Sequence, residues 1–244
     1  MSNEPLTQVN ALAATPEKEK EVSRGAKVVG WMADNGIFVF TAVLIAAALI
    51  GVDGFASLQN ITDVFHRAAP IGIVAVGMTF VVISGNYLDL SVVAQVATAA
   101  VILIAVSNEY GYFAAIIAAM LAAAMFGLVN GIAVGYFKAN AVIVTLSTTY
   151  IGLGLLRFFS GGSIFFGPYE SPLAQFGAGK LGPVPYSAVV LIIMTILLSF
   201  LLTRTNFGFT VRSFGVNERA TRLGGTNTGM VVIGAFLVTA FSAM

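Results

Sequence analysis

The chain has 244 residues, 58% of them hydrophobic and 9% charged, with a net charge of +1 and no cysteine. So few charges, against roughly 25% in an ordinary soluble domain, exclude a water-soluble enzyme, and the mean hydropathy of +0.93 points to helices that face lipid. The absence of cysteine excludes disulfides, iron–sulfur clusters and thiol nucleophiles.

The first 33 residues read as a solvated tail, because the mixed Glu/Lys stretch from Glu17 to Lys27 is polar and is not a cleaved signal. Seven apolar runs follow. They are Ile37 to Val52, Ala69 to Ile83, Leu90 to Val106, Tyr112 to Tyr136, Ala141 to Phe159, Tyr186 to Leu202, and a last one from Met230 to Met244. The expected fold is all-α, a polytopic transmembrane helical bundle over 34–244 with six full spans and a truncated seventh. The seventh run is shorter than the roughly 20 residues needed to span, so the expectation is a chain incomplete at its C-terminus.

Charge orients this bundle. Lys18, Lys20, Arg24 and Lys27 precede the first run, and Arg204, Arg212, Arg219 and Arg222 follow the sixth. Six crossings return the chain to the side from which it started. With the N-terminus cytoplasmic, nine of the twelve basic residues lie inside, and only Arg67, Arg157 and Lys180 lie outside.

Between the first two runs, Phe55, Leu58, Ile61 or Thr62, Phe65 and Ala69 share a helical face away from Asn60, Asp63, His66 and Arg67. This predicts an amphipathic helix lying at the outer surface, either as an interfacial element or as a gate or docking element. The break Gly85-Asn86-Tyr87-Leu88-Asp89-Leu90-Ser91 places a carboxylate between two apolar runs with almost no loop. An ionisable group at membrane depth is expensive, so Asp89 faces water, a cavity or a helix terminus. Two roles stand for it, as the N-cap of a helix starting at Leu90 or in solute passage.

On the fourth run Gly127, Gly131 and Gly135 recur every four residues, a strip of small side chains that lets another helix approach closely. On the fifth, Thr145, Ser147, Thr148 and Thr149 form a polar cluster, serving either packing or the lining of a path. Candidate path residues are thus Asn86, Asp89, Ser91, Gln95, Thr145, Ser147 and Thr148.

After the sixth run, Asn217 can cap a helix of Glu218, Arg219, Ala220, Thr221, Arg222 and Leu223 that Gly224 and Gly225 terminate. Glu218 and Arg222 are four apart and can pair, leaving positive charge for a partner. An isolated helix of two turns is marginal in water, so something must hold it. Elsewhere the sole histidine, His66, builds no metal site. Gly177, Gly179 and Lys180 lack the Ser or Thr of a phosphate loop, because Leu181 follows. An ATP-driven process would require a separate ATPase polypeptide.

At these residues the chain resembles the permease subunits of ribose-type ATP-binding-cassette sugar importers of bacteria. Glu218-Arg219-Ala220 leading to Gly224 is similar to that family's Glu-Ala-Ala coupling motif, with Arg219 in place of the middle Ala. Asp89-Leu90-Ser91-Val92 resembles its Ile-Asp-Leu-Ser-Val segment, here one residue longer before the Asp. Val142-Ile143-Val144-Thr145-Leu146 resembles its Ile-Val-Thr-Leu segment, and Thr203 to Gly208 its Thr-Arg-Phe-Gly segment. Asn140-Ala141 stand where the family often has prolines.

The resemblance implies a multi-pass permease of the bacterial inner membrane that binds no cofactor and no nucleic acid. Its partners would be a second permease subunit, cytoplasmic ATP-binding subunits that use ATP, and an extracytoplasmic sugar-binding protein. The loop 203–228, with Asn217, Glu218, Arg219, Ala220, Arg222, Leu223 and Gly224, would couple to the ATPase. The competing expectation is an ion-gradient-driven secondary transporter, which would favour buried carboxylates near the midplane. Asp89 is the one acidic residue close to a span interior.

Overall fold

The computed structural model describes Trp31 and residues 34–85, 87–168 and 170–244. Apart from Trp31, the expected tail 1–33 falls outside these residues. The chain divides into two compact units, Met1–Ala56 and Ser57–Met244.

In the first unit, helix α1 (Gly36–Gly51) is apolar all round and ends with the Val52 N–H donating to the Ala48 carbonyl at 3.0 Å. It matches the expected run Ile37 to Val52 within one residue at each end. The second unit contains α2 (Leu58–Ile83), α3 (Val92–Gly135), α4 (Ala141–Ser160), α5 (Pro172–Ala178), β1 (Lys180–Leu181), β2 (Val184–Pro185), α6 (Tyr186–Arg204), α7 (Asn206–Val216), α8 (Glu218–Leu223) and α9 (Thr228–Ser242). Among the described residues four helices, α2, α3, α4 and α6, are long and apolar enough to cross a membrane, so the fold is a helical membrane bundle.

Helix α3 covers 44 residues, more than twice the roughly 20 that one crossing needs, and it consists of two helical halves. Gly111, at φ 83° and ψ 168°, interrupts it with a conformation that side chains with a Cβ rarely adopt. The expected runs Leu90 to Val106 and Tyr112 to Tyr136 fall on either side of this break.

Helix α2 corrects an expectation. The surface helix anticipated over Phe55 to Ala69 is continuous with the next span: one 26-residue helix starts at the Ser57 cap and runs through Pro70. Side chains between Thr62 and His66 make contacts with a later part of the chain. The Thr62 hydroxyl donates to the Pro183 carbonyl at 3.2 Å, Asp63 lies 3.7 Å from the Lys180 ammonium, and Ser187 Oγ meets His66 Nδ1 at 3.2 Å. Lys180 and Pro183 belong to a two-stranded hairpin turning at Gly182, with Lys180 opposite Pro185. Leu58 and Phe65 of the same helix are exposed.

Helix α9 is buried along most of its length and packs on the second half of α3 through the glycine strip. A Cβ on Gly127 would stand 2.9 Å from the Leu237 Cα, one on Gly131 2.6 Å from the Ile233 Cα, and one on Gly135 2.7 Å from the Gly229 carbonyl oxygen. Each step of four down α3 is a step of four up α9, so the helices run antiparallel in register. The packing role expected of this strip has its partner here. Helix α9 also crosses α2, where the Thr239 hydroxyl donates to the Gly77 carbonyl at 3.1 Å. Phe80, Val81, Val134, Val211, Phe214, Val232 and Phe236 fill the space between these helices and α7.

Neighbour directions are readable from paired contacts. His66 and Gly72 of α2 meet Ser187 and Leu191 of α6, so those two are parallel. Phe126 and Asn130 of α3 meet Gly152 and Thr148 of α4, so those two are antiparallel.

The close seam yields a test. Gly131→Val should cost about 1–3 kcal/mol of stability by overpacking against backbone, read as a lower unfolding temperature of the detergent-purified protein. Gly154→Ala on α4, with nothing within 4 Å of its Cβ, should be neutral or slightly stabilising. Equal effects of the two substitutions would contradict the seam.

Candidate functional site

The break between α2 and α3 is built from local chemistry. Helix α2 stops where the Ser84 N–H reaches the Phe80 carbonyl at 3.0 Å, and Gly85 then adopts φ 146°, leading the chain out of the helix. Asn86, a candidate path residue, lies outside the described residues. The backbone from Tyr87 to Asp89 has no regular structure, and α3 starts at Val92.

Asp89 is fully buried and does not cap a helix beginning at Leu90, as had been one expectation. Ser91 stands at the N-cap position, and Asp89 Oδ1 accepts from both the Ser91 N–H, at 2.9 Å, and the Ser91 hydroxyl. The carboxylate thus folds the break onto itself two residues on, which keeps residues 90 and 91 out of the helix. Asp89 Oδ2 accepts from Gln95 Nε2 at 3.3 Å. Neutral donors alone serve this carboxylate among the described residues, where the ion pairs are Lys138 with Glu218 and Lys180 with Asp63.

Two further elements join the cluster. Ser91 Oγ accepts from Gln95 Nε2 at 2.7 Å and from Asn130 Nδ2 at 2.8 Å, and Asn130 Oδ1 in turn accepts from the Thr148 hydroxyl at 2.9 Å. From α4 the Thr145 hydroxyl also reaches the Leu88 carbonyl at 3.4 Å, and that of Thr149 reaches the Leu90 carbonyl at 3.0 Å. Side chains on both halves of the α3–α4 hairpin therefore hold the break. Thr145 and Thr148 lie four and seven residues into α4, about 6–10 Å along its axis from the Ala141 end.

Of the candidate path residues, Asp89, Ser91, Gln95, Thr145 and Thr148 come together. Ser147 does not: it is exposed and bonds only the Ile143 carbonyl of its own helix, at 2.8 Å. Sequence reading passed over Asn130, whose signal was a lone amide in an apolar, Ala- and Gly-rich span. Gln95 Oε1 and Thr98 Oγ1, one turn apart on α3, are buried without a hydrogen-bond partner in the protein.

The Lys138 end of the bundle holds a second site. Asn217 Oδ1 accepts from the Ala220 N–H at 2.9 Å, starting α8, and Gly224 followed by Gly225, at φ 85°, stops it. The cap, helix and glycine stop agree with the sequence reading. The anticipated Glu218–Arg222 pair does not form: Glu218 Oε1 lies 2.7 Å from the Lys138 ammonium, on the connection between α3 and α4. A strong cation already facing the first turn of α8 outcompetes a partner one turn along the same helix.

Helix α7 was not anticipated. Its signals were Thr205, whose hydroxyl accepts from the Gly208 N–H at 3.1 Å, and the spacing of Phe207, Val211 and Phe214. Only glycine fits at 208, where a Cβ would meet the carbonyls of Leu201 and Leu202, and at 215, where one would meet the Ile83 carbonyl. Helix α7 therefore lies tight beneath the end of α2. Between α7 and α8 opens a cavity of about 680 Å³ lined by Phe209, Arg212, Val216, Ala220 and Gly224 among others.

Comparison with known proteins places residues 60–244 on the family model for "Branched-chain amino acid transport system / permease component". The galactofuranose transporter permease protein YtfT of Escherichia coli is 32% identical over 74% of this chain and 53% of its own length. The ribose import permease protein RbsC of Haemophilus influenzae is 29% identical over 83% of this chain and 64% of its own. The L-arabinose ABC transporter permease protein AraH of Azospirillum brasilense is 30% identical over 86% and 63%. The chain thus spans between half and two thirds of the length of these relatives. No solved structure matches it.

Ser91 is the hub of the polar cluster, so Ser91→Ala strips three side-chain hydrogen bonds and leaves Asn130 and Gln95 donors unmet. The expected loss is about 1–3 kcal/mol, read by thermal unfolding in detergent, whereas Ser147→Ala should stay within about 0.5 kcal/mol of the parent.

Proposed function

Because the chain belongs to the permease-component family of branched-chain amino acid transport systems, we propose that it forms the membrane path of an ATP-binding-cassette importer. The solute is a monosaccharide or a related small polar molecule, a choice supported by three relatives whose names specify galactofuranose, ribose and L-arabinose. The chain is a transport subunit, and hydrolysis takes place in separate ATP-binding subunits. An ion-gradient-driven carrier, the competing sequence reading, is disfavoured by relatives that are permease components, one of them named as part of an ABC transporter.

In this reading α1, α2, the two halves of α3, α4 and α6 make six crossings, α9 is a further apolar helix, and residues 34–244 belong to the permease domain. Parallel α2 and α6 and antiparallel α3 and α4 are the directions that such alternation requires. The basic N-terminal tail and the loop 203–228 face the cytoplasm, in keeping with the positive-inside bias. A second permease subunit completes the path and an extracytoplasmic binding protein delivers the solute. Asp89, Ser91, Gln95, Thr145 and Thr148 belong to the path or support it.

The observation that carries the proposal is α8. It is a helix of six residues, capped at both ends, and it presents its outer side to solvent: Leu223 is 82% exposed, and Val216 just before the cap is 88% exposed. Arg219 and Arg222 are exposed beside them, while Glu218 and Thr221 are half-buried. Apolar side chains rimmed by cations at the charged end of a membrane bundle form a docking face for a partner.

Ala220→Glu tests this. A carboxylate in a desolvated contact should abolish solute-stimulated ATP hydrolysis or subunit copurification while membrane insertion persists. Normal copurification together with normal stimulation would reject α8 as the docking helix. Identification of the ligand carried by the copurified binding protein would name the solute.

A further inference from the structure

Helix α8 is too short to hold itself, and the structure shows what holds it. The connection from Tyr136 to Asn140 clamps both ends of the segment. At one end the Lys138 ammonium meets Glu218, the first residue of α8, at 2.7 Å, and lies 6.0 Å from the ring centroid of Phe214, buried in α7. At the other end the Tyr136 hydroxyl accepts from Asn227 Nδ2 at 3.1 Å, and Asn227 itself caps α9 through the Met230 N–H.

The backbone at Lys138 is specialised for this reach. Among the described residues it is the only non-glycine with positive φ, at 53°. Flanking bonds hold that strained turn: the Phe137 N–H donates to the Ile132 carbonyl and the Ala139 N–H to the Ala133 carbonyl. The Lys138 and Glu218 side chains are 48% and 43% exposed, and a pair so wetted adds little to stability. What it supplies is position. The helix ends that carry the clamp also carry Asn130, five residues before Gly135, and Thr145 and Thr148, just after Ala141, which grip the Asp89 break.

We propose that Lys138 is a positioning residue for ATP coupling: its ion pair with Glu218 sets where α8 sits and passes displacement of α8 into the ends of α3 and α4. This rests on the reading of α8 as the ATPase-docking helix.

The test uses the complete transporter, with its ATPase and binding protein, in proteoliposomes, and reads ATP hydrolysed per solute imported. Lys138→Glu and Glu218→Lys should each raise that ratio about five- to tenfold, a coupling-sized effect, with subunits still copurifying. The double variant, which restores the pair with its charges exchanged, should return the ratio to within about twofold of the parent. If charge reversal impairs folding, Lys138→Met and Glu218→Gln should still raise the ratio. Unchanged ratios in the single variants, or a double variant no better than either single, would overturn the proposal. Should Ala220→Glu uncouple while the Lys138 and Glu218 variants do not, the positioning role alone fails. Should Ala220→Glu have no effect, the docking reading fails and this inference with it.

Discussion

Everything in the second unit hangs on how closely α9 can approach α3. Between helices in lipid there is no water to expel, so association depends on van der Waals contact and on the hydrogen bonds that closeness permits. Three glycines at four-residue spacing bring the backbones together at Leu237, Ile233 and Gly229. That contact also sets the distance at which α9 meets α2 and α7, where Phe236, Phe80 and Val211 interlock. The same α3 segment carries Asn130, one residue from Gly131. Packing on one face of α3 thereby fixes the position of the amide that holds the Asp89 break on another.

This joins stability to the proposed transport role. A buried carboxylate without a cation persists only because neutral donors, here from Ser91 and Gln95, are held against it. The glycine seam and the α3–α4 hairpin supply that fixity, and the Lys138 clamp sits at the turn of the same hairpin. Rigid parts thus lie between the exposed face of α8 and the break, with no long loop in the path.

What was legible in the sequence followed from one-dimensional patterns. The apolar runs predicted α1, α4 and α6 nearly to the residue, because length and hydropathy alone define them. Asn217 and Gly224 predicted the ends of α8, because capping is local. Contacts across the chain were not legible. Glu218 chose Lys138, eighty residues away, over Arg222, and no rule of helical spacing contains that competitor. The polar turns of α2 read as a surface helix because their partners, Pro183, Lys180 and Ser187, lie more than a hundred residues later. Asn130 was hidden by the small residues around it, and Asp89 stood out as a carboxylate between apolar runs, but its Asx-type contact with Ser91 replaces the expected cap.

The polar cluster also has a direction. Thr148 donates to Asn130, Asn130 to Ser91, and Ser91 to Asp89, so the donors form a one-way chain that ends on the carboxylate. The Ser91 hydroxyl is saturated, with its one hydrogen given and both lone pairs taken. Ser91 cannot turn its hydrogen away without giving up its bond to Asp89, whereas Thr148, at the outer end, also has the Thr145 carbonyl within 3.1 Å. Gln95 Oε1 and, one turn along α3, Thr98 Oγ1 are left without a partner beside them. The cluster therefore has a polarity as well as a shape, and a variant such as Asn130→Asp, which replaces a donor with an acceptor, reverses a link in that chain instead of merely removing it.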